Sequence, residues 1–306
     1  MTSSTQPAHS TATAFAPGHI TGFFVICEDE DPARMGSLGC GLTLSSGVTT
    51  HVEVGGSDDP PCPTCRTCPT VESVVSRLAT PPCSIHSRSA IPIGAGFGAS
   101  GAGALSAAFA LNYAFSLNLT TDQLIEVAHI AEVENRTGLG DVVAQSLGGV
   151  VIRHTPGASG RLNRIPADGR KVFWVVFDKI STKEVLNDPG AAERINATGI
   201  KSLRELLKNP MIENFMLQSK RFAVGTGLMS DSVSDAVDAV EAAGGMASQV
   251  MLGDSVFAID CSGAGGCVGD GVGDGVGDAT DAIEAALSEF GSVGKSRIDF
   301  KGARLI

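Results

Sequence analysis

Residues 13–26 read as an apolar strand, and 36–54 alternate apolar with small or polar side chains on either side of Ser45-Ser46-Gly47, which predicts a β-hairpin. A short helix over 71–78 and a strand over 84–93 follow. An alanine-rich run without a helix breaker predicts a helix over 104–115, and Thr120 with Gln123 forms a capping box that starts another over 122–135. A strand over 150–153 completes an α+β N-terminal half. Residues 156–169, polar and rich in Gly and Pro, predict a domain boundary. Beyond it lie a buried strand over 171–178, helices over 191–208 and 210–222, and a helix capped by Ser230 that runs through 243. Two strands, 246–252 and 255–260, are joined across Gly253-Asp254, and 281–290 supplies a last helix. The second half is thus a two-layer α+β domain. The expected organisation is a frayed tail over 1–12, one domain over 13–160 with an insertion about 55–70, and a second over 170–306. That second domain carries a loop about 263–280, whose Val-Gly-Asp repeats have too little apolar content to offset their ordering entropy.

Composition narrows the class. A chain of 306 residues suits two domains, each able to bury a core. No apolar run reaches the roughly 18 residues a membrane span needs. Net charge is −11, from 22 basic and 33 acidic residues, which argues against a nucleic-acid surface. Residues 1–10 have neither the basic start nor the apolar centre of a secretory signal, so a cytoplasmic location is expected. The eight cysteines are then expected to be reduced. Cys62, Cys65 and Cys68 have zinc-like spacing with Cys83 as a fourth candidate, but their Gly/Asp/Pro-rich setting favours a tolerated surface insertion.

Candidate chemistry centres on residues 92–103, where five glycines lie among small side chains just before the alanine-rich helix. Glycine lets the backbone approach a ligand closely, and the free N–H groups of a helix start favour an anion such as phosphate. A loop that only turns the chain is the plainer reading. Among phosphate loops, the P-loop requires a Lys that this segment lacks. Gly96-x-Gly98-x-x-Gly101 satisfies the dinucleotide fingerprint, but the acid about 20 residues on, Asp122, begins a helix rather than ending a strand.

A third design fits better. Pro92, Gly96, Gly98 and Ser100 match the second motif of the GHMP kinases (P-x-x-x-G-L-G-S-S-A), with Phe97, Ala99 and Gly101 in place of Leu, Ser and Ala. Pro17-Gly18-His19 is similar to that family's first motif, with His19 where a Lys or Arg is usual. Asp141 stands seven residues before Gly148-Gly149, the family's spacing for its catalytic Asp. For the third motif, residues 251–258 are preferred over Gly263–Cys267 because a proper strand follows. The resemblance implies a two-domain fold, with an N-terminal half like ribosomal protein S5 domain 2 and a ferredoxin-like C-terminal half. Phosphoryl transfer needs the phosphates held, a divalent cation placed and the acceptor oxygen oriented. Pro92, Gly94, Ala95, Gly96, Phe97, Gly98, Ala99, Ser100 and Gly101 are expected to hold ATP. Ser100 and Glu132 are expected to hold Mg²⁺, with Glu134 as the alternative ligand, and Asp141 is expected to take the acceptor's proton.

Within the family, His19, the 128–141 run and Met251-Leu252-Gly253 are similar to its archaeal branch that phosphorylates pantoate, typically as a homodimer. His19, His129 and Arg153 would then receive the acceptor, Arg153 because a planar fork of donors suits a carboxylate. Phosphorylation of another small alcohol, homoserine or mevalonate, and a non-catalytic nucleotide-binding role are the alternatives.

Overall fold

The computed structural model describes residues 10–55, 68–167, 169–178, 189–260 and 279–306. Residues 1–9 of the tail expected over 1–12, Cys62 and Cys65, and residues 263–278 of the loop expected to about 280, with the alternative third motif, fall outside them; Thr11 and Ala12 instead belong to the first strand and residues 279–280 to a helix. The chain runs β1 (Thr11–Cys27), β2 (Gly36–Val54), α1 (Pro69–Leu78), β3 (Cys83–Ser89), α2 (Ala99–Ala114), α3 (Thr121–Asn135), α4 (Asp141–Leu147), β4 (Val150–Arg153) and β5 (Leu162–Ile165). It continues through β6 (Lys171–Asp178), α5 (Pro189–Lys208), α6 (Ile212–Thr226), α7 (Asp231–Ala242), β7 (Met246–Gln249), β8 (Asp254–Ile259), α8 (Ala279–Ser288), β9 (Gly294–Arg297) and β10 (Arg304–Leu305). Two antiparallel sheets result, one ordered β10-β1-β2-β4-β5 with β3 also on β2, the other β7-β8-β6-β9.

The hairpin expected over 36–54 is instead one long strand. β2 pairs with β1 along its whole length, and its register slips where Pro17 faces Gly47 and Gly18 faces Leu44. Ser45 and Ser46 are therefore extra residues bulged out of the ladder. They are held by β9, since Ser296 Oγ lies 3.0 Å from Ser45 Oγ and accepts the Ser46 N–H at 3.0 Å. Turn residues thus serve as a bridge between the sheets. The boundary expected over 156–169 contains β5, which pairs with β4. α4, β9 and β10 are elements the hydrophobic pattern does not announce.

Three apolar cores hold the layers. Val48, Val52 and Ala14 of the first sheet meet Leu105 and Leu111 of α2 and Leu124 of α3. Phe23, Phe24, Leu42 and Ile152 on that sheet's other face meet Phe215 and Phe222 of α6, together with Trp174 and Phe257 of the second sheet. Phe173, Val175 and Val256 pack under α7 and α8. The two sheets are also tied near their ends: Thr43 Oγ donates to the Asp299 carbonyl at 2.7 Å, and Gly149 N–H donates to the same carbonyl. No described helix is long and apolar enough to cross a membrane.

Candidate active site

The loop from β3 into α2 is fixed from behind. Phe97, buried within it, packs on Trp174 of β6 with ring centroids 5.4 Å apart, which accounts for the aromatic residue at a position the family motif gives to Leu. Ser255 Oγ donates to the Ala95 carbonyl at 3.4 Å, and Met251 N–H donates to the Thr21 carbonyl at 3.2 Å. The turn before β8 therefore backs the glycine loop. Gly98 caps α2 with φ of 63°, a left-handed conformation that favours glycine, and no side chain caps the helix. The first-turn N–H groups remain available to an anion.

In front of this loop lies a cleft of about 370 Å³, lined among others by Gly96, Gly98, Ser100, Gly138, Asp141 and Arg153. α3 ends at Arg136 in left-handed geometry, and the turn that follows returns the chain to Asp141 in the first turn of α4. A side chain at Gly138 would collide with Glu132 Oε2 and stand 3.1 Å from Asp141 Oδ2. A side chain at 138 would have to displace Glu132, because two carboxylates face the same small space.

Glu132 is buried. Its Oε1 accepts from Thr137 Oγ at 2.7 Å, while Oε2 has no protein partner. Burial pushes its pKa up to about 7 and the charge of Asp141 adds to the rise, opposed by the Thr137 and Ser100 hydroxyls. A carboxylate with an orphaned oxygen beside the Ser100 hydroxyl is an all-oxygen donor pair. It suits Mg²⁺, which completes its shell with waters and substrate phosphates. Among the described residues no group of three or more His, Cys, Asp or Glu could hold a metal unaided. Glu134 is paired with Arg77 of α1; Glu132 lies behind the cleft lining, with Oε2 against Gly138, which does line it.

Arg153, at the end of β4 opposite Gly39, is almost wholly buried, and its Nε and Nη1 have no partner. Burial lowers its pKa, and the charge of Asp141 works against that fall. His19 does not stand open to an acceptor. Its Nδ1 lies 2.6 Å from Asp141 Oδ1 and its ring is fully buried. His129 is a correction to the sequence reading: it shares a helical face with Glu132 but turns to the Met35 carbonyl, 2.8 Å from Nε2, and does not line the cleft.

Sequence reasoning missed several neighbours. Ser37 lines the cleft without any motif to mark it, and Arg136 and Thr137 line it from inside the 128–141 run, which does not single them out. Gln145 is buried, donates from Nε2 to the Gly98 carbonyl at 2.8 Å and so joins α4 to the glycine loop. Reading 141–147 as a helix would have found it, since Asp141 and Gln145 are then one turn apart on the same face.

Fold and site together define a phosphotransferase of the GHMP kinase class, and residues 68–149 match the GHMP kinases N terminal domain family. The chain is 38% identical to the pantoate kinase of Methanocaldococcus jannaschii over 80% of this chain and 91% of that protein. It is 35% identical to the pantoate kinase of Thermococcus kodakarensis, over 80% and 86% respectively. A solved structure described as a phosphotransferase related to the CoA biosynthesis pathway superposes with a TM-score of 0.82 at 28% identity, over 97% of this chain and 98% of that one. The chain belongs to the pantoate kinase family.

Proposed function

We propose that this chain transfers the γ-phosphoryl group of ATP to the primary hydroxyl of pantoate, giving 4-phosphopantoate for coenzyme A synthesis. The observation that carries the reading is one cleft that sets an unpartnered, buried Arg153 guanidinium beside Asp141 and in front of a glycine-rich helix start. Arg153 receives the acceptor's carboxylate through charge-assisted N–H bonds, which orients the far end of the molecule toward Asp141. Asp141 takes the hydroxyl proton while the hydroxyl oxygen forms its bond to the γ-phosphorus. The β,γ-bridging bond breaks and its electron pair leaves with ADP. The loop over 94–101 and the N–H groups of α2 hold the nucleotide's phosphates. Ser100 and Glu132 would hold Mg²⁺, which when bound neutralises charge on those phosphates.

Turnover of ATP measured with pantoate, pantothenate, homoserine and mevalonate tests this reading. Pantoate should be the preferred acceptor, and equal or better turnover with homoserine or mevalonate would overturn it. Arg153→Ala should raise KM for pantoate by roughly 10²-fold, the loss of a charged hydrogen-bond pair at about 1.4 kcal/mol per factor of ten. KM for ATP should stay near that of the unaltered enzyme, and Lys should restore only part of the loss. Equal weakening of both substrates would place the carboxylate elsewhere.

A further inference from the structure

Asp141 and Arg153 present a problem to one another. Both are functional in the cleft, their opposite charges are coupled, and Arg153 keeps two nitrogens unpaired. Left alone, a buried guanidinium and a neighbouring carboxylate would close into a two-pronged pair, which would occupy the proton acceptor and the acceptor's receptor at once. Among the described residues no ion pair joins them; the partner of Asp141 is His19.

Building on the proposed reaction, we propose that His19 is a positioning residue. It binds Asp141 Oδ1, keeps the carboxylate off Arg153 and leaves Oδ2 as the oxygen that receives the proton. Three observations support it. The Nδ1 to Oδ1 distance of 2.6 Å is that of a strong, charge-assisted bond. Oδ2 faces the Gly138 turn, on the side where Glu132 Oε2 lies. The imidazole occupies a slot beside Gly41, where any side chain would overlap Nε2 and Cε1, so the ring has one place to go. The main chain adds to the effect, since His19 N–H donates to the Phe97 carbonyl at 3.0 Å. One residue thereby holds the phosphate loop with its backbone and the proton acceptor with its side chain.

The role needs only a ring that donates from Nδ1 to Asp141. Burial drives the His19 pKa down and Arg153 adds to the fall, against the pull of Asp141. A neutral imidazole that donates from Nδ1 leaves Nε2 as a bare nitrogen, in keeping with the absence of any partner at Nε2. Its cost is modest because no N–H is stranded.

Steady-state kinetics of His19→Ala and His19→Asn test the assignment. His19→Ala should lower kcat by roughly 10–10²-fold, the cost of a misplaced reacting group, and raise KM for pantoate as Arg153 closes on Asp141. KM for ATP should move less than about threefold, under about 0.7 kcal/mol. His19→Asn, whose amide N–H can donate to Oδ1, should recover most of kcat. Nitrogen-resolved NMR of the unaltered protein tests the same point without a variant or a substrate. Nδ1 should carry the proton and Nε2 should show the resonance of a bare imidazole nitrogen. An Nδ1 without a proton, or Asn no better than Ala, or a fall in ATP affinity matching the fall in kcat would overturn the proposal. Failure of the pantoate assignment reads differently, because the NMR result stands whatever the acceptor.

Discussion

Under the second sheet, Phe173, Val175 and Val256 meet Val233, Val237 and Ile283 of α7 and α8 in a core that is apolar throughout. Behind the cleft, where only Arg153 of the four reaches the lining, His19, Glu132, Gln145 and Arg153 are as deeply buried, yet each keeps at least one nitrogen or oxygen without a partner among the described residues. An orphaned buried polar atom costs about 1–3 kcal/mol. Ser248 and Gln249 of β7 also keep an unpartnered atom, but four such residues gathered behind one cleft concentrate the departures from the rule that buried polar groups are satisfied, where the proposed substrates would bring their own donors, acceptors and charge. The two regions teach that burial alone does not distinguish stability from function; what separates them is whether the buried atoms are content without a partner molecule.

Substitutions at the two places should therefore fail in opposite ways. The largest effect is expected at Asp141: Asn preserves shape and can still meet His19, so turnover should fall by roughly 10²–10⁴-fold while melting temperature and ATP affinity hold. A matching loss of ATP binding, measured by titration calorimetry, would make Asp141 a structural residue like those of the apolar core. Glu132→Gln sharpens the contrast further, since it should abolish most activity and yet stabilise the unliganded fold. The sign follows from its pKa. In the folded chain the carboxyl keeps its proton up to about 7, whereas an ordinary glutamate loses it near 4.5. Folding thus takes up a proton between these values, and the stability this group contributes is full below about 4.5 and lost as pH rises through about 7. Above that, Gln should raise stability by up to about 3 kcal/mol, with the gain vanishing toward pH 4.5. Urea titrations at pH 8 and pH 5 read it directly; a loss of stability at pH 8 would show that Glu132 is satisfied in the fold. The smallest effect belongs to the core. Ile283→Val should cost about 0.5–1.5 kcal/mol and leave kcat and both KM values untouched. A change in any kinetic constant would mean that the second core communicates with the cleft.

The parts of the fold and site that were legible in sequence are those in which a short segment decides its own conformation. The Thr120 and Gln123 capping box forms as expected, the glycine loop enters α2, and Ser100, Glu132 and Asp141, drawn from three segments, do meet. What could not be read depended on partners far along the chain. Ser45-Ser46-Gly47 has the composition of a turn, and only β9, some 250 residues away, makes it a bulge. α4 has no side-chain cap to announce it, and with it went Gln145. His19 looked like a group for the acceptor because its partner, 122 residues distant, cannot be inferred from spacing. His129 shows the limit of helical periodicity, which gives the face of α3 but not that the Met35 carbonyl waits under it.

The contact between Phe97 and Trp174 gives the phosphate loop an optical reporter. The chain has one tryptophan, and that indole rests against Phe97 of the glycine loop, in the core between the two sheets and well shielded from water. Its fluorescence is therefore a single-site signal, unmixed with other emitters of its kind, and any motion that lifts Phe97 from its seat as phosphates arrive changes the polarity and quenching around the indole. If the loop holds ATP as proposed, the indole is a label-free probe of nucleotide binding that stopped-flow mixing can follow without an engineered dye.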